Sequence, residues 1–409
     1  MKSAPPHKGS KKIAVVGSGP AGLMAATRAS ELGAQVTVFE RRAGLGRKLL
    51  IAGSSGLNVS YDAPPEKFDE GFLDFYRKSD PEGAAKIEPS IRAFPPLKWL
   101  AFIESLGHPT FLGTSRRWFV REMKASGLLQ SWVSALKHRG VLFQTGLELQ
   151  TFSSLPAGVR LEFSRLDGEL ASVPHEFDSA ILALGGGSWE SPPPVWPQKF
   201  RELGIQVRDF EPSNVGYEID FPPALLKEAE GQPIKNCVLT TARGSKQGEL
   251  VITDYGVEGT PVYFTGCPGP ATLKLKPELT LNEWMSLLRK PLTENLSPMR
   301  KLRKLSGLSD AALALIFHLT PEKIRNNLTQ LGLHTYELPL PLKRPRPLLE
   351  AISSKGGVLW SEVTDTLMLE KFPGVYLAGE MLDWDAPTGG FLIQASVALG
   401  YVAGDFAAK

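Results

Sequence analysis

The chain has 409 residues, enough for two or three domains, and its 42% hydrophobic and 22% charged content is that of an ordinary globular protein. With 46 basic against 43 acidic residues the net charge is +3, which argues neither for a nucleic-acid partner nor for an acidic membrane surface. Two cysteines, Cys237 and Cys267, with no CxxC give no support to a disulfide framework, a zinc site or a redox pair, and fit a reduced, cytoplasmic compartment.

The opening MKSAPPHKGSKK is polar and basic and reads as a disordered tail, not a signal peptide. No stretch reaches the ~20 apolar residues of a membrane span, so a soluble protein is expected. Residues 12–17 (KIAVVG) form a short apolar run suited to a buried parallel strand. Residues 20–32 follow as a helix closed by Gly33, and 35–40 (QVTVFE) are again β-branched and apolar, completing a βαβ unit. The glycine- and serine-rich stretch 43–60 is irregular. Helical spacing runs from about 97 to 139, with Trp99, Leu100, Ile103 and Leu106 on one face. From 141 to 183 short runs predict a three-stranded meander feeding a buried apolar strand. Ser191-Pro192-Pro193-Pro194 marks a semi-rigid junction. Residues 205–275 read as all-β, with turns at Gly231, Gly244, Gly248 and Gly266, and 278–335 as helical. The last 60 residues or so return to α/β character.

The architecture expected is α/β: a discontinuous Rossmann-like domain, 1–190 with 346–409, carrying an inserted β-barrel-like domain at 191–277 and a helical subdomain at 278–345.

Gly17-Ser18-Gly19-Pro20-Ala21-Gly22 is a GxGxxG between strand and helix. Its glycines permit a tight turn, the approach of a pyrophosphate, and close helix–strand packing. The phosphates would meet the free N–H groups of the helix. Glu40 ends the next strand, placed to accept from an adenosine ribose, and an acid there disfavours a 2′-phosphate. At the far end, GVYLAGE (374–380) is a strand ending in Gly379-Glu380, and Thr388-Gly389-Gly390 opens an apolar helix. The amides of that helix could face a flavin's pyrimidine carbonyl and stabilise its anionic reduced ring. A simple NAD dehydrogenase does not need its last 30 residues for its cofactor, so FAD is the expected ligand.

Four segments carry a resemblance: GSGPAGLMAA (17–26), GRKLLIAGSSGLNVS (46–60), GELVITDYGVEGTP (248–261) and GEMLDWDAPTGGFLIQASVALGYVAG (379–404). The chain resembles bacterial NAD(P)/FAD-dependent oxidoreductases with a glutathione-reductase-like FAD fold, some called aminoacetone-oxidase-like, others linked to reduction of conjugated enones in steroid-like substrates. The resemblance implies that Gly17, Ser18, Gly19, Pro20, Ala21, Gly22, Glu40 and Arg41 hold the ADP half of FAD, with Arg47 and Lys48 by the pyrophosphate. It further implies Gly53 and Asn58 by the flavin or its ribityl chain, Leu149 offering its backbone to adenine, and Gly185, Gly379 and Glu380 along the cofactor. Gly390, Phe391 and Gln394 would border the isoalloxazine. Departures mark a divergent subgroup: Gly56-Leu57-Asn58 stands where relatives end in Arg-Cys-Asn, Glu258-Gly259-Thr260-Pro261 where they have Ser-Gly-Pro, and Asp385-Ala386-Pro387 precedes the Thr-Gly-Gly.

Five of the six histidines (His108, His138, His175, His318, His334) lack metal-ligand spacing, and Gly185-Gly186-Gly187-Ser188 is not a nucleophile elbow. The basic run Arg300 to Lys304 reads as a solvated helix face. Asp254 and Tyr255, with Tyr263, are the substrate-side candidates, expected to face the flavin across the domain junction. The function expected is hydride transfer between FAD and a small organic substrate, with NAD(P)H as donor, although no second GxGxxG serves it. The alternatives are a peroxide-producing amine oxidase, an RNA-modifying flavoenzyme and an electron-transfer flavoprotein.

Overall fold

The computed structural model describes residues 10–53, 56–62, 73–74, 76–78, 80–113, 116–165 and 175–409. Most of the basic tail lies outside the described residues. Two compact units emerge: 1–211 with 353–409, and 212–352.

The first unit begins with β1 (Lys12–Val16), whose residues after Lys12 are all buried, and α1 (Pro20–Glu31), which starts on a proline and stops before Gly33 at φ 88°. β2 (Gln35–Glu40) pairs in parallel with β1, so the opening is a βαβ crossover. A short α2 (Arg47–Ala52) follows, then β3 (Asn58–Tyr61). The expected helical stretch 97–139 is interrupted. Helices Pro96–Ser105 and Ala125–His138 flank β4 (Thr110–Leu112) and β5 (Arg117–Val120), which pair antiparallel, with β5 also on β3. Gly107 at φ 88° breaks the helical spacing, and Trp118 and Phe119 suit a strand better than a helix. The next run splits at Gly146, at φ 77°. β6 (Leu142–Thr145) joins β2 in parallel, while β7 (Leu147–Leu155), β8 (Gly158–Arg165) and β9 (His175–Phe177) form the three-stranded meander. β10 (Ser179–Leu182), wholly buried, returns beside β1.

The proline cluster is not a boundary. Helix Trp196–Glu202 buries Trp196 and Phe200 in the first core, and β11 (Val207–Ser213) follows. The second unit holds β12 (Tyr217–Glu218), β13 (Pro233–Thr241), β14 (Gly244–Thr253), β15 (Gly256–Gly259), β16 (Thr272–Lys274) and β17 (Leu338–Pro339), an antiparallel sheet in the order β12-β15-β14-β13-β16-β17. Beyond β17 the chain returns to β12: Glu218 N donates to Arg344 O and Arg346 N to Gly216 O, each at 2.9 Å. The sheet thereby closes on itself, as the barrel-like expectation required. Short helices Pro223–Ala229 and Thr260–Thr265 interrupt the all-β reading. Gly248 lies inside β14 and not at a turn; a Cβ there would meet Pro261 Cδ at 3.0 Å, which accounts for the glycine. Helices Leu281–Leu288, Pro298–Ser306, Asp310–Leu319 and Leu328–Tyr336 share one core with the sheet, built on Leu239, Leu250, Trp284 and Leu315. The separate helical subdomain therefore has no core of its own.

The chain re-enters the first unit through β18 (Ser353–Val358) and β19 (Val375–Leu377), which completes a parallel sheet in the order β19-β10-β1-β2-β6. The C-terminal helix Phe391–Ala408 packs on α1. It is long and apolar enough to cross a membrane by length and composition, contrary to the reading of the sequence, and 61% of it is buried inside the unit. Its apolarity serves the core: both faces meet protein.

Candidate functional site

The site lies at the carboxyl ends of the parallel strands, where open α/β sheets place their ligands. A cleft of about 150 Å³, partly open to solvent, is lined by Gly17 to Ala21, Glu40, Arg41, Arg42, Arg47, Lys48, Leu149, Gly185, Glu190, Trp196, Gly379 and Glu380 among others. Segments far apart in sequence thus converge: the turn before α1, the end of β2, the start of α2, the meander, the loop after β10, and the end of β19.

The glycines divide by task. A Cβ on Gly22 would stand 1.9 Å from Gly17 O, and one on Gly17, at φ 106°, 2.2 Å from Ala183 O; both are demanded by the protein's own packing. A Cβ on Gly19 would meet nothing within 4 Å. Packing gives no reason for glycine there, and a ligand pressed against the backbone does. Gly379, at φ 81°, brings the β19 end within contact of Ala21.

Glu40 organises the turn as well as lining the cleft. Its Oε2 accepts from Ser18 N at 3.1 Å and Ser18 Oγ at 2.5 Å, and its Oε1 from Arg42 N at 3.0 Å. Ser18 Oγ in turn accepts from Gly46 N at 3.0 Å, tying the glycine turn to the segment that starts α2. That segment delivers Arg47 and Lys48. Lys48 Nζ donates to Gly186 O at 2.7 Å, and burial pushes its pKa down against the pull of Glu380 and Glu190. Burial likewise pushes the Glu380 carboxyl up, opposed by Lys48 and by the Gly186 amide. The Leu149 backbone is partly spent: its carbonyl accepts from Lys199 Nζ at 3.2 Å.

Other expected residues lie elsewhere. Gly53 closes α2, and a Cβ there would strike Ala125 Cβ at 2.4 Å. Asn58 begins β3 opposite Phe119. The side chains of Phe391 and Gln394 do not border an open surface. Phe391 stacks on Tyr61 at 5.3 Å and meets Tyr76 edge-on, and Gln394, fully buried, donates to Phe94 O at 3.1 Å. Gly390, at φ 94°, presses on the Ser60 backbone. Beside this turn stands Arg117, whose Nε would lie 3.4 Å from a Cβ on Gly389; burial lowers its pKa and Tyr61 opposes the shift.

Asp254, Tyr255 and Tyr263 belong to the second unit. Asp254 is exposed in the turn between β14 and β15. Tyr255 donates its hydroxyl to Glu258 Oε2 at 2.8 Å, and Arg346 lies over its ring at 4.6 Å. Burial and Glu258 together push the hydroxyls of both Tyr255 and Tyr263 well above the usual tyrosine pKa. Glu258, the shared partner, drew notice in the sequence only as a departure.

Arg42, Glu190 and Trp196 were missed outright. Arg42 had a signal, standing beside Arg41 after the ribose acid. Glu190 and Trp196 flank the proline cluster, and nothing local ties them to a cleft. The indole nitrogen of Trp196 is buried without a hydrogen-bond partner among the described residues. With Gly19 and the four cations, this orphaned donor shows that the cleft fits an anionic dinucleotide such as FAD.

A Rossmann sheet, a glycine turn backed by an acid and a cationic cleft completed by the chain's last segment define a dinucleotide-binding flavoprotein of the oxidoreductase class. The chain belongs to the HI0933-like family, whose profile, described as the HI0933-like protein Rossmann domain, matches residues 11–406. Its cofactor is FAD, and it is an FAD-dependent oxidoreductase. A 3-dehydro-bile acid delta(4,6)-reductase of Clostridium scindens is 25% identical over 97% of this chain and 99% of its own. Among solved structures, the 3-ketosteroid-delta4-(5alpha)-dehydrogenase of Rhodococcus jostii RHA1, in complex with 4-androstene-3,17-dione, has a TM-score of 0.52 at 14% identity, covering 100% of this chain and 99% of that one. The 3-ketosteroid delta1-dehydrogenase of Sterolibacterium denitrificans has a TM-score of 0.52 at 13% identity, covering 98% and 100%. The two structures share the fold.

Proposed function

We propose that the protein reduces the conjugated carbon–carbon double bond of an enone in a steroid-like or bile-acid-like ketone, with NAD(P)H as electron donor. The observation that carries this reading is the end-to-end likeness to a bile acid reductase. Bound FAD supplies a two-electron centre that can give a hydride to one carbon of the double bond. The chain supplies the rest. Gly19 admits the diphosphate to the backbone, and Arg41, Arg42, Arg47 and Lys48 carry the charge that answers it. At the start of the C-terminal helix, Arg117 and the helix amides concentrate positive potential, of the sign that favours a reduced anionic ring.

The second carbon of the double bond needs a proton. Tyr255, held by Glu258 and kept protonated at neutral pH, is the proposed donor, with Asp254 on the same substrate side. The test is turnover with a 3-oxo-4-ene steroid under NADH or NADPH, read by mass spectrometry. A product heavier by two hydrogens supports the reading. Oxidation of added amines with peroxide release, and no change in the enone, would replace it with the oxidase.

A further inference from the structure

One carboxylate gathers every cation of the cleft. Glu190, its side chain 9% exposed, pairs with Arg41, lies 2.8 Å from Arg42 Nη2, and sits 3.9 Å from Arg47 Nη1 and 4.0 Å from Lys48 Nζ. All five residues line the same cleft as the glycine turn. Its neighbour Trp189 is left-handed at φ 55°, a conformation an ordinary side chain keeps only where its surroundings impose it, and its carbonyl accepts from Arg47 Nη1 at 2.8 Å. The loop is anchored at its start, where Gly187 N donates to Ser354 Oγ at 2.8 Å. Beyond the anchor it is incompletely satisfied: Ser188 Oγ and Trp196 Nε1, either side of Glu190, are both buried without a hydrogen-bond partner among the described residues.

We propose that Glu190 is an internal counter-anion that holds the phosphate-binding cations in the cofactor-free chain and yields them to the diphosphate of FAD. The segment 188–195, between the Gly187 anchor and the core residue Trp196, then shifts with cofactor binding. Four positive groups drawn round one partly buried carboxylate are arranged as they would be round a phosphate. Leaving Glu190 in place while a diphosphate enters sets like charges side by side, so the two anions compete for the same cations. The loop can move, because its strained residue and two orphaned donors show a seat that is held by the cations more than by its own hydrogen bonds. Glu190 therefore weakens cofactor affinity and governs its exchange.

The inference rests on FAD occupying this cleft, and the experiment separates the two. Full-length apoprotein, stripped of flavin, is titrated with FAD, ADP and riboflavin by fluorescence, for wild type and Glu190→Gln. The neutral, isosteric variant should bind FAD and ADP about tenfold tighter and riboflavin unchanged, a gain of about 1.4 kcal/mol. In the wild type, ADP should alter amide hydrogen exchange across 188–195. Equal or weaker binding of FAD and ADP by Glu190→Gln, or unchanged exchange in the wild-type loop, overturns the proposal. Failure of the wild type to bind either nucleotide would instead overturn the cofactor assignment itself.

Discussion

At Gly22 an added methyl would stand 1.9 Å from a backbone oxygen, while at Gly19 it would stand in open space. The two positions of one motif should therefore fail differently. Gly22→Ala is expected to cost about 3 kcal/mol or more, seen as a lowered melting temperature, since the backbone itself must shift. Gly19→Ala should melt normally and be purified with little or no flavin. In the second unit, Tyr255→Phe should leave flavin content intact and slow turnover by about 100-fold, the scale of a lost general acid. Asp254→Asn should also slow turnover with flavin content unchanged; an unaltered rate would remove Asp254 from the substrate side. Arg117→Met should lower the midpoint potential of the bound flavin, read by dye-coupled reduction. The glycines and Glu40 were legible because their types recur at fixed offsets for fixed reasons. Glu190 and Arg117 were not, because their meaning comes from groups about 140 to 270 residues away, such as Arg41, Arg47 and Gly389.

Among the elements, α1 and the C-terminal helix form a contact the sequence half disclosed. Gly400 and Gly404 let the last helix approach so closely that a Cβ on Gly400 would lie 2.1 Å from Ala21 O, and one on Gly404 2.6 Å from Ala25 O. Gly400→Ala should cost about 2 kcal/mol by forcing the helices apart. Arg28 on α1 donates to Asp405 Oδ1 from Nη2 at 2.6 Å and from Nε at 2.9 Å. Burial opposes the charge on Asp405, yet the hydrogen bonds from Lys409 and Arg28 hold its carboxyl below the usual aspartate range. A carboxyl depressed on folding stabilises fully above its unfolded pKa of about 3.9, and the gain is lost as pH falls through the lower folded value. Asp405→Asn should remove about 1–2 kcal/mol at neutral pH and flatten this part of the acid limb in pH-dependent melts. Strands and helices with one clear period were legible. The β4–β5 hairpin was not, because it lies between two helices whose spacing runs on across it. The proline cluster misled for a physical reason: prolines stiffen a linker and a cleft wall alike.

At the scale of the molecule, the first unit is made from both ends of the chain, so its central sheet lacks β19 until residues 375–377 arrive. That design was legible in the GVYLAGE strand and the Thr-Gly-Gly that follows it, two segments with no purpose in a domain ending near 190. The limits of the inserted unit were less so, because its sheet and helices share one core and composition changes where core membership does not. The most direct test of the central claim is anaerobic single turnover. The purified enzyme is reduced with dithionite until the flavin bleaches, then mixed with a 3-oxo-4-ene steroid under argon. Return of the yellow oxidised flavin, with one enone consumed per flavin, is the expected result. A flavin that stays bleached until air is admitted would contradict enone reduction, and a colourless protein that takes up no FAD would contradict the account at its base.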